Sequence, residues 1–308
     1  MEMRLGTLGA LVDNWLNDRR RCEATKETYR RVFIVFNRFV QLNSPAQNAL
    51  GAERKDIVAF RQSLTGKSSH TVCMYMSVVK MFYAYAYQQR KVRSNIATGI
   101  SSPGVKKFHN KKPLSDSQAR ALMSSIDTTT EIGRRDRLIL LLMLQAGLRC
   151  IEVSRMDRCD AYRDGDEYRL KLQRKGRAGK DDTIDLRKDL GEELEIYMHA
   201  TSTDDDAMLP MFYSLSSKSG NAHSRLSSSD VGSIVTSRMD AANVKGKQLS
   251  PHSLRHTFGC NLVRKGVTLE KIQLMMGHAS PETTMIYVRD AKELEIRENN
   301  PAELLDKL

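Results

Sequence analysis

The sequence predicts a mainly α fold with a small β-hairpin or sheet. It reads as an α+β chain in which an N-terminal helical bundle precedes a C-terminal mixed domain. Three observations predict this. Apolar residues recur at three- and four-residue spacing through the first hundred residues and again in the last third, which is the period of a helix face. Between Tyr168 and Leu186, polar and apolar residues alternate as paired strands do. A polar stretch from Ser101 to Pro113 divides the chain, and 308 residues is long for one core.

Taken in order, Leu8, Leu11, Val12, Trp15 and Leu16 mark a first amphipathic helix. Thr25, with Thr28 after it, is placed to cap a second helix. Its stripe is Tyr29, Val32, Phe33, Phe36, Phe39 and Val40, and Asn43-Ser44-Pro45 ends it. Ile57 to Leu64 and Val72 to Tyr87 give two more, split by Thr65-Gly66-Lys67-Ser68-Ser69. The aromatic run Tyr75, Phe82, Tyr83, Tyr85 and Tyr87 has helical spacing, so it reads as core rather than as a stacking platform. Ser101-Ser102-Pro103-Gly104, with Lys106, Lys107, Lys111 and Lys112 after it, is a basic, helix-poor linker. Leu114-Ser115-Asp116 is a capping sequence that opens the second domain, and Arg137 to Leu148 reads as a buried helix. Tyr168 to Leu172, a turn from Lys175 to Lys180, and Thr183 to Leu186 form a hairpin. Ser214 to Ser229 reads as a loop, and helices resume to the end.

The net charge of +12 is unevenly spread. Residues 1–112 hold 20 Lys and Arg against 7 Asp and Glu, whereas the remainder is nearly balanced. From Ile57 to Ser115 there is no acidic residue, while Arg61, Lys67, Lys80, Arg90, Lys91, Arg93, Lys106, Lys107, Lys111 and Lys112 all fall there. A solvated face usually mixes both signs, so a field of one sign points to a polyanion, nucleic acid above all. Five cysteines, odd in number and without a C-x-x-C pair, read as reduced thiols. No window approaches a membrane span and the first residues have no apolar signal core, so the cytoplasm is expected and a membrane is not.

Five residues carry the chemistry. Arg149 closes an apolar run; His252 and Arg255 lie three apart behind Ser250 and Pro251; His278 follows Gly277; Tyr287 comes nine residues after His278. Each alone has an ordinary explanation. Arg149 could be a surface arginine paired with Glu152 or Asp157, His252 a buried imidazole bonded to backbone, and Tyr287 a core tyrosine at a helix end. Together they supply what metal-free attack on a phosphodiester needs. Guanidinium forks grip phosphate oxygens, imidazoles handle protons, and a phenol attacks once guanidiniums lower its pKa from about 10 and a base accepts its proton. A metal reading of His252, His256 and Cys260 is weaker, because a line of residues every four positions spreads ligands too far for one tetrahedral ion. Gly176-x-x-Gly179-Lys180-Asp181 is too short for a phosphate loop, so no nucleotide site is expected.

The segments Ala146-Gly147-Leu148-Arg149-x-x-Glu152, His252-x-x-Arg255 and Leu274-Met275-Met276-Gly277-His278-x8-Tyr287 resemble the signature boxes of the tyrosine recombinase (phage integrase) family, in its Xer-like core form. The resemblance runs over about residues 8 to 290. It implies a clamp around double-stranded DNA, with a core-binding domain at 1–100, a linker at 101–112, a catalytic domain at 113–290 and a tail at 291–308. It implies Arg149, His252, Arg255, His278 and Tyr287 as the active site, with Glu152 supporting the first arginine. It also implies a site-specific strand exchange through a 3′-phosphotyrosyl bond, by a tetramer, with no cofactor and no metal. The apolar tail residues Leu294, Ile296, Leu304, Leu305 and Leu308 would dock on a neighbouring protomer. No arm-binding domain is expected before residue 8. The family's lysine lies on a hairpin turn in the pattern Gly-Lys-Gly-x-Lys. Here Arg174 replaces the leading glycine and the second lysine comes five residues after the first, so Lys175 is assigned in preference to Lys180. Rival readings are a DNA-relaxing enzyme with the same pocket, and a DNA-binding architectural protein with a relict site.

Overall fold

The computed structural model describes residues 6–18, 21–104, 111–201, 209–215 and 224–298. The chain divides into two compact units, Met1–Phe108 and His109–Leu308. The described residues are mostly helical, with one three-stranded antiparallel sheet in the second unit, as the α+β reading expects. Lys106, Lys107, Leu304, Leu305 and Leu308 lie outside the described residues.

In the first unit the apolar stripes fold against each other. Helices α1 (Gly6–Asn17), α2 (Glu23–Asn43), α3 (Arg54–Ser63) and α4 (Ser69–Gln88) enclose an aromatic core. The Phe33 and Phe82 rings lie 4.3 Å apart, and Trp15 sets its edge on Phe82 at 5.6 Å. Each buried aromatic contributes about 1.5–3 kcal/mol. Phe82, Tyr83 and Tyr85 are buried while Tyr87 is exposed, so the tyrosine-rich run is core except at its end. The cap of α2 differs from the sequence reading. Cys22, not Thr25, is the N-cap residue, and Thr25 sits in the first turn with its hydroxyl 3.2 Å from Cys22 Sγ. Glu23 suits that earlier start, because its charge opposes the positive end of the helix dipole.

The second unit opens with α5 (Asp116–Ser124), capped reciprocally by Ser115 and Gln118. Helix α6 (Glu131–Gln145) starts six residues before the expected Arg137, because the Thr130 hydroxyl accepts from the Gly133 N–H at 3.0 Å. Short α7 (Cys150–Ser154) leads to β1 (Ala161–Asp164), β2 (Glu167–Leu172) and β3 (Asp182–Leu186), ordered β1-β2-β3. Strand β1 has no strand signature in the sequence, because Tyr162-Arg163-Asp164 lacks apolar alternation; it is held by pairing, Tyr162 opposite Arg169. The pairing of Leu172 with Asp182 leaves residues 173–181 as the turn. Helices α8 (Lys188–Ala200), α9 (Ser228–Ala241), α10 (Pro251–Arg264), α11 (Leu269–Met276) and α12 (Pro281–Glu298) complete the unit. One core surrounds α6, and a smaller one joins Phe258, Cys260, Ile272, Met276, Tyr287 and Ala291 from the last three helices. No described helix is long and apolar enough to cross a membrane.

Candidate active site

The site grows around one buried carboxylate. Arg149 is the residue that starts α7, and Glu152 folds back on it. One Glu152 oxygen accepts from the Arg149 backbone N–H at 2.9 Å, the other from Arg149 Nη1 at 2.7 Å. The Glu152 side chain is fully buried, while that of Arg149 keeps 22% of its surface exposed. A buried carboxylate needs positive partners, and two further guanidiniums supply them. Arg174 Nη1 and Arg255 Nη1 each lie 3.7 Å from Glu152 Oε2.

Ser250 and Pro251 begin α10 and set His252 and Arg255 on its first turns. Arg255 is completely buried. It donates to the Gly147 carbonyl, to the Met276 carbonyl at 2.5 Å and to His278 Nε2 at 3.0 Å. Burial pushes this guanidinium down to about 10, with the Arg149 charge adding to the effect. Helix α11 ends at Gly277, whose φ of +57° is the left-handed cap that glycine adopts freely. A Cβ there would also meet Arg174 Nε at 2.8 Å, so the position needs glycine twice over.

His278 follows at once, and its tautomer is fixed by its partners. Arginine can only donate, so Nε2 accepts from Arg255 and the ring proton sits on Nδ1, 3.0 Å from the Thr284 hydroxyl. Burial, then the charges of Arg255, Arg149, His252 and Arg174, push the imidazole down to about 3, so it is neutral at pH 7. The Tyr287 hydroxyl lies 3.5 Å from the same Nε2, and the two rings stack at 5.6 Å. Gly259 lets the phenol ring lie against α10, since a Cβ there would come within 2.7 Å of it. The phenol's own shift runs against the sequence reading. Burial raises it above 10.0 by more than Arg255 and Arg149 pull it down.

The two hairpin lysines differ sharply. Lys175 is exposed on the turn. Lys180 is half-buried between Asp157, at 2.6 Å, and Asp160. Desolvation would lower Lys180, but those two carboxylates win and raise it. His256 Nε2 lies 2.8 Å from Asp290, and Cys260 Sγ donates to the Tyr287 carbonyl at 3.7 Å, so both side chains are drawn into the packing of α12. Three residues of this neighbourhood were not read from the sequence: Thr284, Gly259 and Arg174. Only Arg174 left a signal, as an arginine where the resemblance expects glycine.

The basic residues of the first unit stay near its surface. Arg61 donates to Ser101 at its carbonyl (3.0 Å) and hydroxyl (2.8 Å), and Lys80 to the Ser102 hydroxyl at 3.3 Å. Lys67 lies over the Tyr75 ring. Arg90, Lys91 and Arg93 are exposed. In the second unit Lys111 is half-buried, and Lys112 pairs with Glu293 of α12 at 3.4 Å.

Residues 112–293, more than half of the chain, match the phage integrase family, and the protein belongs to it. Its sequence is 26% identical over 275 residues to tyrosine recombinase XerA of Thermococcus kodakarensis, covering 80% of this chain and 93% of that one. It is 27% identical over 281 residues to tyrosine recombinase XerD of Xanthomonas axonopodis pv. citri, covering 87% and 88%. The fold superposes on the XerH site-specific recombinase solved on a palindromic difH substrate, with a TM-score of 0.70 at 18% identity, covering 96% of this chain and 84% of that one.

Proposed function

We propose that the protein is a site-specific DNA recombinase that breaks and rejoins strands through a 3′-phosphotyrosyl intermediate. The observation that carries this is one buried series. The Tyr287 hydroxyl, His278 and Arg255 are linked at 3.5 and 3.0 Å, and Glu152 draws Arg255 and Arg149 together. Family membership, and relatives that are themselves tyrosine recombinases, support the same reading. Double-stranded DNA is the substrate in this reading; neighbours of the same fold were solved on a palindromic difH substrate and on a circular intermediate DNA.

The chemistry follows from the groups present. Arg149 and Arg255 hold the non-bridging oxygens of the scissile phosphate and neutralise the charge that grows there. The Tyr287 oxygen attacks phosphorus in line, and the bond to the 5′-oxygen breaks. Because burial keeps the phenol protonated, its proton leaves during attack, and His252 accepts it. Lys175 gives a proton to the departing 5′-oxygen. His278 steadies Arg255 through Nε2, and it can turn to the phosphate once an anion offsets the guanidinium charges. Since the phosphotyrosyl bond conserves the energy of the diester, a 5′-hydroxyl of another strand reverses the step. The reading extends to residues 1–100 as a core-binding domain, 101–112 as a linker on the phosphate backbone, and 113–290 as the catalytic domain. Four protomers act on two duplexes in the cytoplasm, the exposed Ile296 and the apolar residues after Glu298 docking on a neighbour.

The test begins by recovering the DNA that the protein selects from a random pool. Two copies of that site in one supercoiled plasmid should yield recombinant circles, with EDTA present. Relaxed topoisomers alone would favour the DNA-relaxing rival, and binding without breakage the non-catalytic one.

A further inference from the structure

The β2–β3 turn carries an arginine that the mechanism above leaves unused. Arg174 directly precedes Lys175 and is only 5% exposed, an uncommon place for a guanidinium. Its nitrogens reach three elements. Nε donates to Asp182 at the start of β3 (2.9 Å), and Nη2 donates to the Met275 carbonyl of α11 (2.8 Å). Nη1 faces Glu152 Oε2 at 3.7 Å and makes no hydrogen bond among the described residues. Arg255 is arranged in parallel, with Nη2 on the next carbonyl, that of Met276, and Nη1 3.7 Å from the same oxygen. Two guanidiniums therefore sit on adjacent carbonyls at the negative end of α11 and share one carboxylate oxygen.

Lys180 ties the far limb of the turn to Asp157 and Asp160, so Arg174 is the anchor of the limb that bears Lys175. Gln173 Nε2 closes the turn on itself through the carbonyls of Arg177 (3.0 Å) and Ala178 (2.9 Å), but those bonds stay within the turn. Lys175 is exposed, and a four-carbon stem on a turn samples many positions. Gly277 leaves the space that Arg174 fills.

We infer that Arg174 is a positioning residue that fastens the lysine-bearing turn to the Glu152 cluster and so fixes where Lys175 delivers its proton. This rests on the reading of Lys175 as the group that protonates the 5′-oxygen. It assigns Arg174 no contact with DNA.

Single-turnover cleavage of two substrates tests it, one with the normal 5′-bridging oxygen and one with sulfur there, whose thiolate leaves without a proton. Misplacement by about 1 Å costs on the order of 100-fold, so Arg174→Ala should slow normal cleavage by about 10- to 100-fold. The sulfur substrate should recover most of that loss. The double variant Arg174→Ala/Lys175→Ala should be no slower than Lys175→Ala alone, because both changes remove one function. Equal loss on both substrates, or losses that multiply in the double variant, would overturn the inference. Should Arg174→Ala not fold, Asp182→Asn decides the matter. It removes a 47% exposed partner of Arg174 and should give a smaller loss with the same sulfur recovery; a uniform loss, or none, overturns the role. Lys175→Ala without sulfur recovery would sink the acid assignment itself, whereas recovery for Lys175→Ala but not for Arg174→Ala sinks only the positioning role.

Discussion

Glu152→Gln removes one charge and almost no volume, so it isolates what the buried carboxylate does. Its oxygens face Arg149 at 2.7 Å, and Arg174 and Arg255 at 3.7 Å each, and its side chain has no exposed surface. At an effective dielectric of about 20, a unit pair at such a distance is worth roughly 4 kcal/mol before desolvation. Three attractions are lost, while the cost of burying the carboxylate is also relieved, and the guanidiniums are left to repel one another. Breaking a buried pair from one side typically costs about 3–5 kcal/mol, and we expect that range here. Urea unfolding followed by far-UV circular dichroism measures it, as a lower midpoint with an unchanged slope. Trp15, the sole tryptophan, reports on the first unit by fluorescence and serves as an internal comparison. A loss under about 1 kcal/mol would refute the reasoning, because an exposed pair is worth that little. So would a shift confined to the Trp15 signal.

Two further outcomes are expected. The half-buried Lys180–Asp157 pair should make stability pH-dependent at both ends. Burial would raise Asp157, but its bonds to Lys180 and Arg225 lower it from 3.8, so its contribution is present above that pH and is lost as pH falls through the folded value. Lys180 is raised from 10.5, so its contribution is complete below that pH and is lost as pH rises through the folded value; thermal melts of Lys180→Met should lack the alkaline limb and show a smaller acid limb, since Arg225 still holds Asp157, and unchanged limbs would remove the pair from the account. Replacing Lys106, Lys107, Lys111 and Lys112 with Gln should flatten the dependence of DNA affinity on salt by about one unit of slope per phosphate contact removed, and an unchanged slope would put the DNA elsewhere.

Helix periodicity made most of the fold legible, because stripes such as Leu8 to Leu16 and Tyr29 to Val40 turn one face inward. Strand β1 was not legible, because its residues are polar and only pairing with β2 holds them extended. Helix starts were read less well where a hydroxyl outside the periodic run does the capping, as Thr130 does for α6. At the site, order and spacing pointed to Arg149 and Arg255, which meet at Glu152, and to His278 and Tyr287, which are linked in turn to Arg255. What spacing cannot carry is burial. The phenol's upward shift, the neutral His278 and the place of Arg174 all depend on how deeply α10, α11 and the turn pack.

The central claim is that Tyr287 attacks DNA. A nicked substrate that loses its short 5′ fragment after cleavage should trap the protein covalently on the 3′ end, and peptide mapping should find the phosphate on Tyr287. Tyr287→Phe should bind the same DNA and form no adduct. An adduct that persists in Tyr287→Phe, or that maps to another residue, would contradict the account.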